Sequence, residues 1–195
     1  MARTLGIPDA RLAKVGPNDG SLTLGTEVVS PLDMATAYAT LAARGLRCDP
    51  RPVISITTPT GQPLAFTAPP GRCHQVLDPA VADTVTSVLE GVLTNGTGYP
   101  NAATIGRPAA GKTGTNEAFS SAWFVGYTPQ LSAAVELGDP RGGPTHPLTD
   151  ITIGAQSYTH VYGGDIPALI WGRTMYTAST NDPYAELPVP APATG

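Results

Sequence analysis

The sequence has few charged residues, few cysteines and no long apolar run. Only 13% of its 195 residues are charged, and the net charge is -4. A nucleic-acid-binding domain usually carries a basic surface, so this acidic balance argues against a nucleic-acid partner. No window holds 18 consecutive apolar residues, so we expect no membrane span. The opening MARTLGIPDARLAKVG lacks the apolar core of a signal peptide, so we expect no signal or anchor within this chain.

The two cysteines, Cys48 and Cys73, leave two interpretations open. They are unrelated buried thiols, or they form a disulfide, which an exported chain would favour. Such a disulfide would contribute about 3 kcal/mol in the chain-entropy model. We expect no metal site, because Cys73 and His74 are adjacent and the other two histidines, His146 and His160, have no ligand-like spacing to them.

Glycine and proline are abundant, with 22 and 21 residues, which indicates a loop-rich domain with short elements. Helix-start and helix-stop signals predict three helices, over 30–45, 78–96 and 166–178. Spacings of three and four within the second helix predict an apolar stripe, which needs a partner and which we expect to be left partly uncovered in this chain. The stripe consists of Val81, Val85, Val88, Leu89, Val92 and Leu93.

Two strand patterns occur after residue 120. Residues 121–127 and 131–137 are separated by a short turn and predict an antiparallel hairpin. An earlier strand pair is predicted within 51–68, with a turn at Thr60-Gly61. The proline-rich end predicts a disordered tail over 180–195, which leaves one domain over 1–179.

The stretch GRPAAGKTGT, residues 106–115, fits two different motifs. Gly106, Gly111, Lys112 and Thr113 have the spacing of a phosphate-binding P-loop. The same stretch contains Lys-Thr-Gly-Thr, a motif of serine acyl-enzymes that react with penicillin. The two motifs require different flanking elements, so the neighbouring sequence can distinguish them.

The flanking sequence argues against a nucleotide site. A P-loop lies between a buried strand and a helix N-terminus. Here no run of large apolar residues precedes the motif, and Gly114 and Thr115 are poor residues to open a helix. A strand at the lip of a cleft suits the residues better, because glycines at 111 and 114 would let a substrate backbone approach.

Five blocks of sequence resemble the C-terminal part of the transpeptidase domain of class A (bifunctional) penicillin-binding proteins, especially those of actinobacteria. They are SLTLGTEVVSPLDMATAYATLAARG, EGVLTNGTG, RPAAGKTGT, AWFVGYTP and VYGGDIPALIWGRTM. The resemblance covers residues 1–179. It implies an α+β fold, a partial β-lactamase/transpeptidase-like fold in which helices pack on an antiparallel sheet. It also favours a Cys48–Cys73 disulfide.

The resemblance implies a role for each residue of the Lys-Thr-Gly-Thr motif. Lys112 would act electrostatically beside the substrate carboxylate and the catalytic serine. Thr113 and Thr115 would offer hydroxyl groups to that carboxylate, and Gly114 would leave room for the substrate amide. The implied partners are a peptidoglycan stem peptide ending in D-Ala-D-Ala and the β-lactams that mimic it. The family works on the extracytoplasmic face of the cell membrane, and no cofactor is implied.

Two further motifs of the family are not present in these 195 residues. The sequence S-x-x-K does not occur, since Arg11 and Ala109 stand three residues before the two lysines. The one S-x-N, at 179–181, follows the Lys-Thr-Gly motif instead of preceding it. We therefore expect a piece of the domain that lacks the nucleophile and is inactive by itself. The alternatives are a non-catalytic remnant, a peptide-binding module, or a piece of a D,D-carboxypeptidase or β-lactamase of the same fold.

Overall fold

The computed structural model describes residues 1–16, 18–67 and 70–190, and it shows an α+β architecture. Two short 3-10 turns cover Gly20–Leu24 and Ala102–Ile105. The helices are α1 (Pro31–Ala42), α2 (Pro79–Thr94) and α3 (Ile166–Ala178), and the strands are β1 (Leu46–Cys48), β2 (Cys73–Gln75), β3 (Ala110–Thr115), β4 (Ser121–Tyr127), β5 (Ser132–Gly138), β6 (Thr149–Ile153) and β7 (Gln156–His160). The three predicted helices are all present. Within the described ranges, none of the helices is both long enough and apolar enough to cross a membrane.

The first two helices begin at the capping residues that the sequence indicates. The Ser30 hydroxyl accepts a hydrogen bond from the Asp33 N–H at 3.1 Å, and the Asp33 carboxylate accepts one from the Ser30 N–H at 3.2 Å. This reciprocal pair is a capping box. At the start of α2, the Asp78 carboxylate accepts a hydrogen bond from the Ala80 N–H at 2.8 Å. These bonds satisfy N–H groups that a first helical turn leaves unpaired.

The central sheet has three antiparallel strands in the order β3-β4-β5, so β3 lies at one edge. The predicted hairpin is β4-β5, with Tyr127 opposite Ser132 next to the turn. Because side chains alternate along a strand, each strand presents residues to both faces. Helix α1 packs on one face, where the rings of Tyr38 and Tyr127 lie 6.1 Å apart.

Helix α3 covers the opposite face of the same sheet. Its Trp171 is fully buried, and the Trp171 and Phe124 ring centroids are 5.0 Å apart. The indole N–H of Trp171 donates to the backbone oxygens of Gly126 and Ala133, at 3.3 and 3.1 Å. A Cβ at Gly126 would lie 2.8 Å from the indole ring. The glycine therefore lets the largest side chain of α3 pack directly on the sheet.

Only part of the apolar stripe on helix α2 is covered. The buried residues of the helix are Ala82, Asp83, Thr86 and Leu93. By contrast, Val81, Val85 and Val88 are 48%, 36% and 70% exposed. These three valines are therefore the part of the stripe that lacks a partner, as expected. The rest of the stripe packs on the core clusters, with Leu93 buried and Leu89 and Val92 half-buried.

The buried polar residues of α2 are paired. The Thr86 hydroxyl lies 2.8 Å from both the Tyr127 hydroxyl and the Ala82 carbonyl oxygen. The Asp83 carboxylate accepts hydrogen bonds from the Arg44 guanidinium at 2.9 and 2.7 Å. Buried polar groups are stable in a core when they have such partners. An apolar pattern does not include these bonds, so the sequence did not indicate the polar part of the buried face.

A disulfide joins Cys48 to Cys73, whose Cα atoms are 4.0 Å apart. The two residues face each other in the antiparallel pair β1-β2, which is only three residues long on each side. The disulfide therefore closes the chain segment between two very short strands.

The segment 51–68 is only partly as predicted. Its described residues, 51–67, form one antiparallel bridge, between Thr57 and Pro63, and no strand. Backbone hydrogen bonds run from the Leu64 N–H to the Ile56 oxygen at 2.9 Å and from the Thr58 N–H to the Gln62 oxygen at 2.8 Å. Pro63 has no N–H to donate, which limits the ladder. Ala68, at the end of the predicted pair, lies outside the described residues.

The chain after α3 returns to the core. Residues 181–190 form no helix or strand, and Leu187 is 5% exposed. Its side chain belongs to a cluster with Leu41, Ala110 and Tyr127. Residues 191–195, which the predicted disordered tail includes, lie outside the described residues.

Candidate functional site

The Lys-Thr-Gly-Thr motif lies in the edge strand of the central sheet. The 3-10 turn before it ends at Ile105, and residues 110–115 form β3. The chain then turns through 116–120 into β4, with no helix between them. A P-loop requires a helix N-terminus at this point. The motif therefore has the strand geometry that its flanking sequence predicts.

The strand separates the motif residues onto two faces. Lys112 and Gly114 share the face of Trp123 and Val125, and Thr113 and Thr115 lie on the opposite face. Lys112 is exposed, and none of the ion pairs among the described residues includes it. Its ammonium group is therefore a positive charge without a carboxylate partner in the described part of the chain.

Hydroxyl and ammonium groups converge beside Thr113. The Lys112 ammonium donates to the Thr113 carbonyl oxygen at 3.0 Å and lies 3.3 Å from the Thr113 hydroxyl. The Thr97 hydroxyl is 2.7 Å from the Thr113 hydroxyl. The Thr115 hydroxyl accepts a hydrogen bond from the Gly163 N–H at 3.0 Å, so its own proton is available to a ligand. One cation with adjacent hydroxyl donors suits a carboxylate.

The outer edge of β3 is open to an extended ligand. No backbone hydrogen bond from outside the sheet reaches residues 111–115 among the described residues. An edge strand presents a row of N–H and C=O groups to any segment that pairs with it. A peptide could therefore add to this edge as a further strand.

The two glycines of the motif have different surroundings. A Cβ at Gly111 would lie 2.7 Å from the Val125 oxygen and 3.0 Å from the Phe124 ring, so the backbone that approaches this glycine is that of β4. A Cβ at Gly114 would lie 3.3 Å from the Trp123 Cβ. That Gly114 leaves room for a substrate amide stays a prediction.

Two further residues belong to the site and were not predicted from the sequence. Thr97 supplies the hydroxyl beside Thr113, and Gly163 supplies the N–H that binds Thr115. A Cβ at Gly163 would collide with the backbone of Trp123 and Gly114, so only glycine allows this segment to lie on the sheet. The Gly163-Gly164 pair was the available signal, because adjacent glycines often mark a close backbone approach.

The residues that follow the motif have contrasting positions. Phe124 is fully buried against Trp171 of α3. Trp123 is half-buried on the opposite face, and its indole N–H donates to the Ser121 hydroxyl at 2.6 Å. The Ser121 hydroxyl is 3.3 Å from a Glu136 carboxylate oxygen. Ser121 therefore joins Trp123 and Glu136 in a hydrogen-bonded chain.

A groove of about 670 Å³ adjoins this face of the sheet. Its walls come from the N-terminal segment, α1 and the ends of β3 and β4. Apolar side chains such as Leu5, Leu22 and Tyr38 line one side, and Trp123 and Glu136 lie at the other. The groove therefore extends from the Lys-Thr-Gly-Thr strand along the first helix.

The chain matches the family model described as the penicillin-binding protein transpeptidase domain over residues 6–143. That region contains α1, α2 and the whole three-stranded sheet with residues 112–115. The chain therefore belongs to the penicillin-binding protein transpeptidase family.

Relatives from mycobacteria extend this match. The chain is 36% identical to penicillin-binding protein 1A of Mycolicibacterium smegmatis over 182 residues, 91% of this chain and 22% of that protein. It is also 36% identical to penicillin-binding protein 1A of Mycobacterium tuberculosis over 189 residues, 93% of this chain and 22% of that protein. The match to class A proteins of actinobacterial type confirms the predicted resemblance.

A solved structure supports the same fold. The PonA1 protein from Mycobacterium tuberculosis, determined in complex with penicillin V, superposes with a TM-score of 0.74 at 33% identity. The match covers 97% of this chain and 51% of that chain. It confirms the α+β transpeptidase-like fold. The chain spans about a fifth of the length of the mycobacterial relatives and half of the solved chain.

Proposed function

We propose that this chain supplies the substrate-binding strand of a D,D-transpeptidase, an enzyme that cross-links peptidoglycan stem peptides through an acyl-serine intermediate. The observation that carries the proposal is the convergence of the Lys112 ammonium with the hydroxyls of Thr97 and Thr113 on an open sheet edge. Family membership over residues 6–143 supports the same reaction class.

The proposed ligand is a peptide that ends in D-Ala-D-Ala. Its terminal carboxylate would lie near Lys112 and accept hydrogen bonds from the hydroxyls of Thr113 and Thr115. Its backbone would pair with the outer edge of β3, which fixes the scissile amide relative to the strand. A β-lactam would occupy the same position, because its carboxylate and amide resemble that peptide end. Such a ligand places this surface on the extracytoplasmic side of the membrane, where peptidoglycan is assembled.

The nucleophile is proposed to lie outside these 195 residues. The S-x-x-K serine of the family is not present in the sequence. A serine hydroxyl requires an adjacent base to attack an amide. Ser121 contacts Trp123 and Glu136, and Ser179 is 1% exposed and donates to the Met175 oxygen at 2.7 Å. Neither of these two serines is proposed to react.

The test is the intact mass of the purified chain after incubation with penicillin V. We expect no covalent adduct, because the sequence has no S-x-x-K serine. In parallel, NMR titration with diacetyl-Lys-D-Ala-D-Ala should shift the amide signals of residues 112–115. A stoichiometric adduct would contradict the proposal that the nucleophile lies outside these 195 residues. Unshifted signals at 112–115 would contradict the proposal that this strand binds the peptide.

A peptide-binding module without catalysis is the second candidate, and the absence of S-x-x-K in the sequence favours it. The two candidates differ when a separate polypeptide carrying the S-x-x-K and S-x-N segments is added. Under the transpeptidase proposal, the reconstituted pair becomes acylated by penicillin V. Under the module proposal, the pair still binds the peptide but is not acylated. Release of free D-alanine without cross-linking would indicate a carboxypeptidase of the same fold.

A further inference from the structure

One hydrogen bond of the candidate site has a direction that decides what the site can bind. The Thr113 hydroxyl lies 2.7 Å from the Thr97 hydroxyl and 3.3 Å from the Lys112 ammonium. A hydroxyl has one proton to donate and two lone pairs that accept, whereas an ammonium group only donates. Lys112 therefore uses one lone pair of Thr113, and the bond with Thr97 uses either the second lone pair or the proton.

The two directions of the Thr97–Thr113 bond leave different groups for a ligand. If Thr113 donates to Thr97, its proton is used within the protein and one lone pair remains open to a donor. If Thr97 donates to Thr113, both lone pairs are occupied and the Thr113 proton is free for an acceptor. The first direction suits a carboxamide N–H, and the second suits a carboxylate oxygen.

The neighbouring contacts favour the second direction. The Thr97 hydroxyl makes no other hydrogen bond with the described residues, so Thr113 is the one acceptor there for its proton. A hydroxyl that accepts from a cation and from a second hydroxyl is polarised and becomes a stronger donor. The Thr115 hydroxyl, which accepts from the Gly163 N–H at 3.0 Å, also keeps its proton for a ligand. With this direction, the ammonium and the hydroxyls of the motif strand offer a ligand donors only.

The loop that follows α2 holds Thr97 in place. The Gly98 N–H donates to the Val92 oxygen at 2.9 Å, which ties the loop to the last turn of the helix. A Cβ at Gly98 would lie 2.9 Å from the Phe124 ring, so the loop lies directly on the core. The Thr97 hydroxyl therefore reaches Thr113 from an anchored backbone.

The same loop contacts the segment that binds Thr115. A Cβ at Gly164 would collide with the Thr97 carbonyl oxygen, so the two backbones touch. The Asn101 side-chain amide donates to the Gly164 oxygen at 2.9 Å. Thr97 is therefore coupled to Thr113 through its hydroxyl and to Thr115 through the 163–164 segment.

We propose that Thr97 is a positioning residue that donates its proton to Thr113 and thereby makes the site selective for a group that only accepts hydrogen bonds. This inference rests on the proposed function, because the selected group is the C-terminus of the peptide that lies on β3. It adds a hydrogen-bond criterion to the charge of Lys112, so that a carboxylate is bound and a carboxamide of the same shape is rejected.

The experiment compares two peptides that differ only at the C-terminus. Diacetyl-Lys-D-Ala-D-Ala and the same peptide with a C-terminal carboxamide are titrated by NMR into the full chain and into Thr97→Val and Thr97→Ser. We expect the unmodified chain to bind the carboxylate peptide about tenfold more tightly. Thr97→Val should reduce this preference at least about threefold, because Thr113 then has a lone pair open to the carboxamide N–H. Thr97→Ser, which keeps the hydroxyl, should retain the preference.

Three outcomes would overturn the inference. The first is an unchanged preference in Thr97→Val. The second is an equal loss of affinity for both peptides in that variant, which would indicate that Thr97 only supports the packing of its loop. The third is a preference in Thr97→Ser as low as in Thr97→Val.

A double variant and a matched control show whether Thr97 acts through Thr113. In a Thr113→Val background, Thr97→Val should leave the preference where Thr113→Val alone puts it, because residues that act through one hydrogen bond are not additive. A further loss in the double variant would contradict the assignment. The control is Thr94→Val, an exposed threonine near Thr97 whose hydroxyl contacts only Gly91 and Asn95. It should bind both peptides like the unmodified chain.

Acetate and acetamide distinguish failure of this inference from failure of the proposed function, since neither needs the peptide-binding edge. If the peptides leave 112–115 unshifted but acetate shifts Thr113 in preference to acetamide, and Thr97→Val reduces that preference, the proposed function fails and the role of Thr97 stands. If the peptides shift 112–115 with the same preference in the unmodified chain and in Thr97→Val, the proposed function stands and the role of Thr97 is excluded. An absence of shifts with the peptides and with acetate would overturn both.

Discussion

Lys112 is one of two lysines in the chain, and its position distinguishes it from the other. It lies on an open edge strand, with its ammonium group 3.3 Å from the Thr113 hydroxyl, whereas Lys14 is exposed in an N-terminal turn. A positive charge that is held beside fixed donors interacts with a carboxylate more strongly than a charge on a mobile surface side chain.

Replacing Lys112 should weaken binding of a D-Ala-D-Ala peptide. For Lys112→Ala we expect a loss of about fivefold to tenfold in affinity, since one charge-assisted contact with the carboxylate is removed. The measurement is the NMR titration of residues 113–115 with diacetyl-Lys-D-Ala-D-Ala. Lys14→Ala is the matched control and should bind like the unmodified chain; an equal loss in both variants would show a general charge effect.

Tyr127 makes the free energy of unfolding fall as the pH rises above 10. Its side chain is fully buried, and burial raises the pKa of Tyr127 to about 12, against an opposing hydrogen bond with Thr86. The ordinary tyrosine value is about 10, so above that pH the unfolded chain loses this proton first. The stabilising contribution is complete below pH 10 and disappears as the pH rises toward 12.

In the Tyr127→Phe variant, the free energy of unfolding should fall less steeply at alkaline pH. In the unmodified chain, the free energy of unfolding should fall by up to about 1.4 kcal/mol per pH unit between pH 10 and 12 because of this residue. In the variant only other groups, such as Tyr38, whose pKa burial also raises, contribute to the slope. Urea unfolding at pH 9, 10 and 11 measures the free energy of unfolding of both proteins. An equal dependence on pH in the two proteins would contradict the assignment of this effect to Tyr127.

At the scale of the elements, β1 and β2 are too short to be stable alone. Each has three residues, and an isolated two-stranded ribbon is marginal in water. The Cys48–Cys73 disulfide crosses the last residue pair and closes a segment with a sequence separation of 25. The covalent bond therefore replaces strand length as the constraint on this segment.

Removing the disulfide should lower stability without changing the candidate site. For the double variant Cys48→Ser and Cys73→Ser we expect a loss of about 3 kcal/mol in the free energy of unfolding, measured by urea denaturation. Peptide binding at residues 112–115 should persist, since β3 belongs to a different sheet. If affinity and stability fell together under conditions where the variant is folded, the two regions would be coupled, contrary to this expectation.

At the scale of the whole molecule, the exposed part of α2 is the clearest unpartnered apolar surface. Val81, Val85 and Val88 recur at spacings of four and three and are exposed together. Surfaces of this kind promote association. We therefore expect the purified chain to self-associate at high concentration.

Charged substitutions on this surface should reduce self-association. Val85→Lys with Val88→Glu should shift the sedimentation-velocity distribution toward the monomer, and should cost little stability because neither side chain is buried. Thr84→Lys, at an exposed position on the same helix, is the control and should leave association unchanged. A monomeric unmodified chain with a sharp cooperative melt would contradict the prediction.

The sequence by itself determined the elements whose signals are local. Capping residues at Ser30 and Asp78 place the starts of two helices, and alternation over 131–137 places a strand, because hydrogen bonding and side-chain period act within a few residues. The Lys-Thr-Gly-Thr motif and its neighbouring blocks were sufficient to indicate the family, because they are short segments in a fixed order.

Only the tertiary structure decided which faces are buried and which residues meet. The buried face of α2 depends on partners 39 and 41 residues away, Arg44 for Asp83 and Tyr127 for Thr86. The contacts of Thr97 with Thr113 and of Gly163 with Thr115 likewise join distant segments. The rings of Phe119, His160 and Tyr162 also come together from a loop, a strand end and the approach to a helix. These contacts depend on long-range packing, so no local periodicity or composition encodes them.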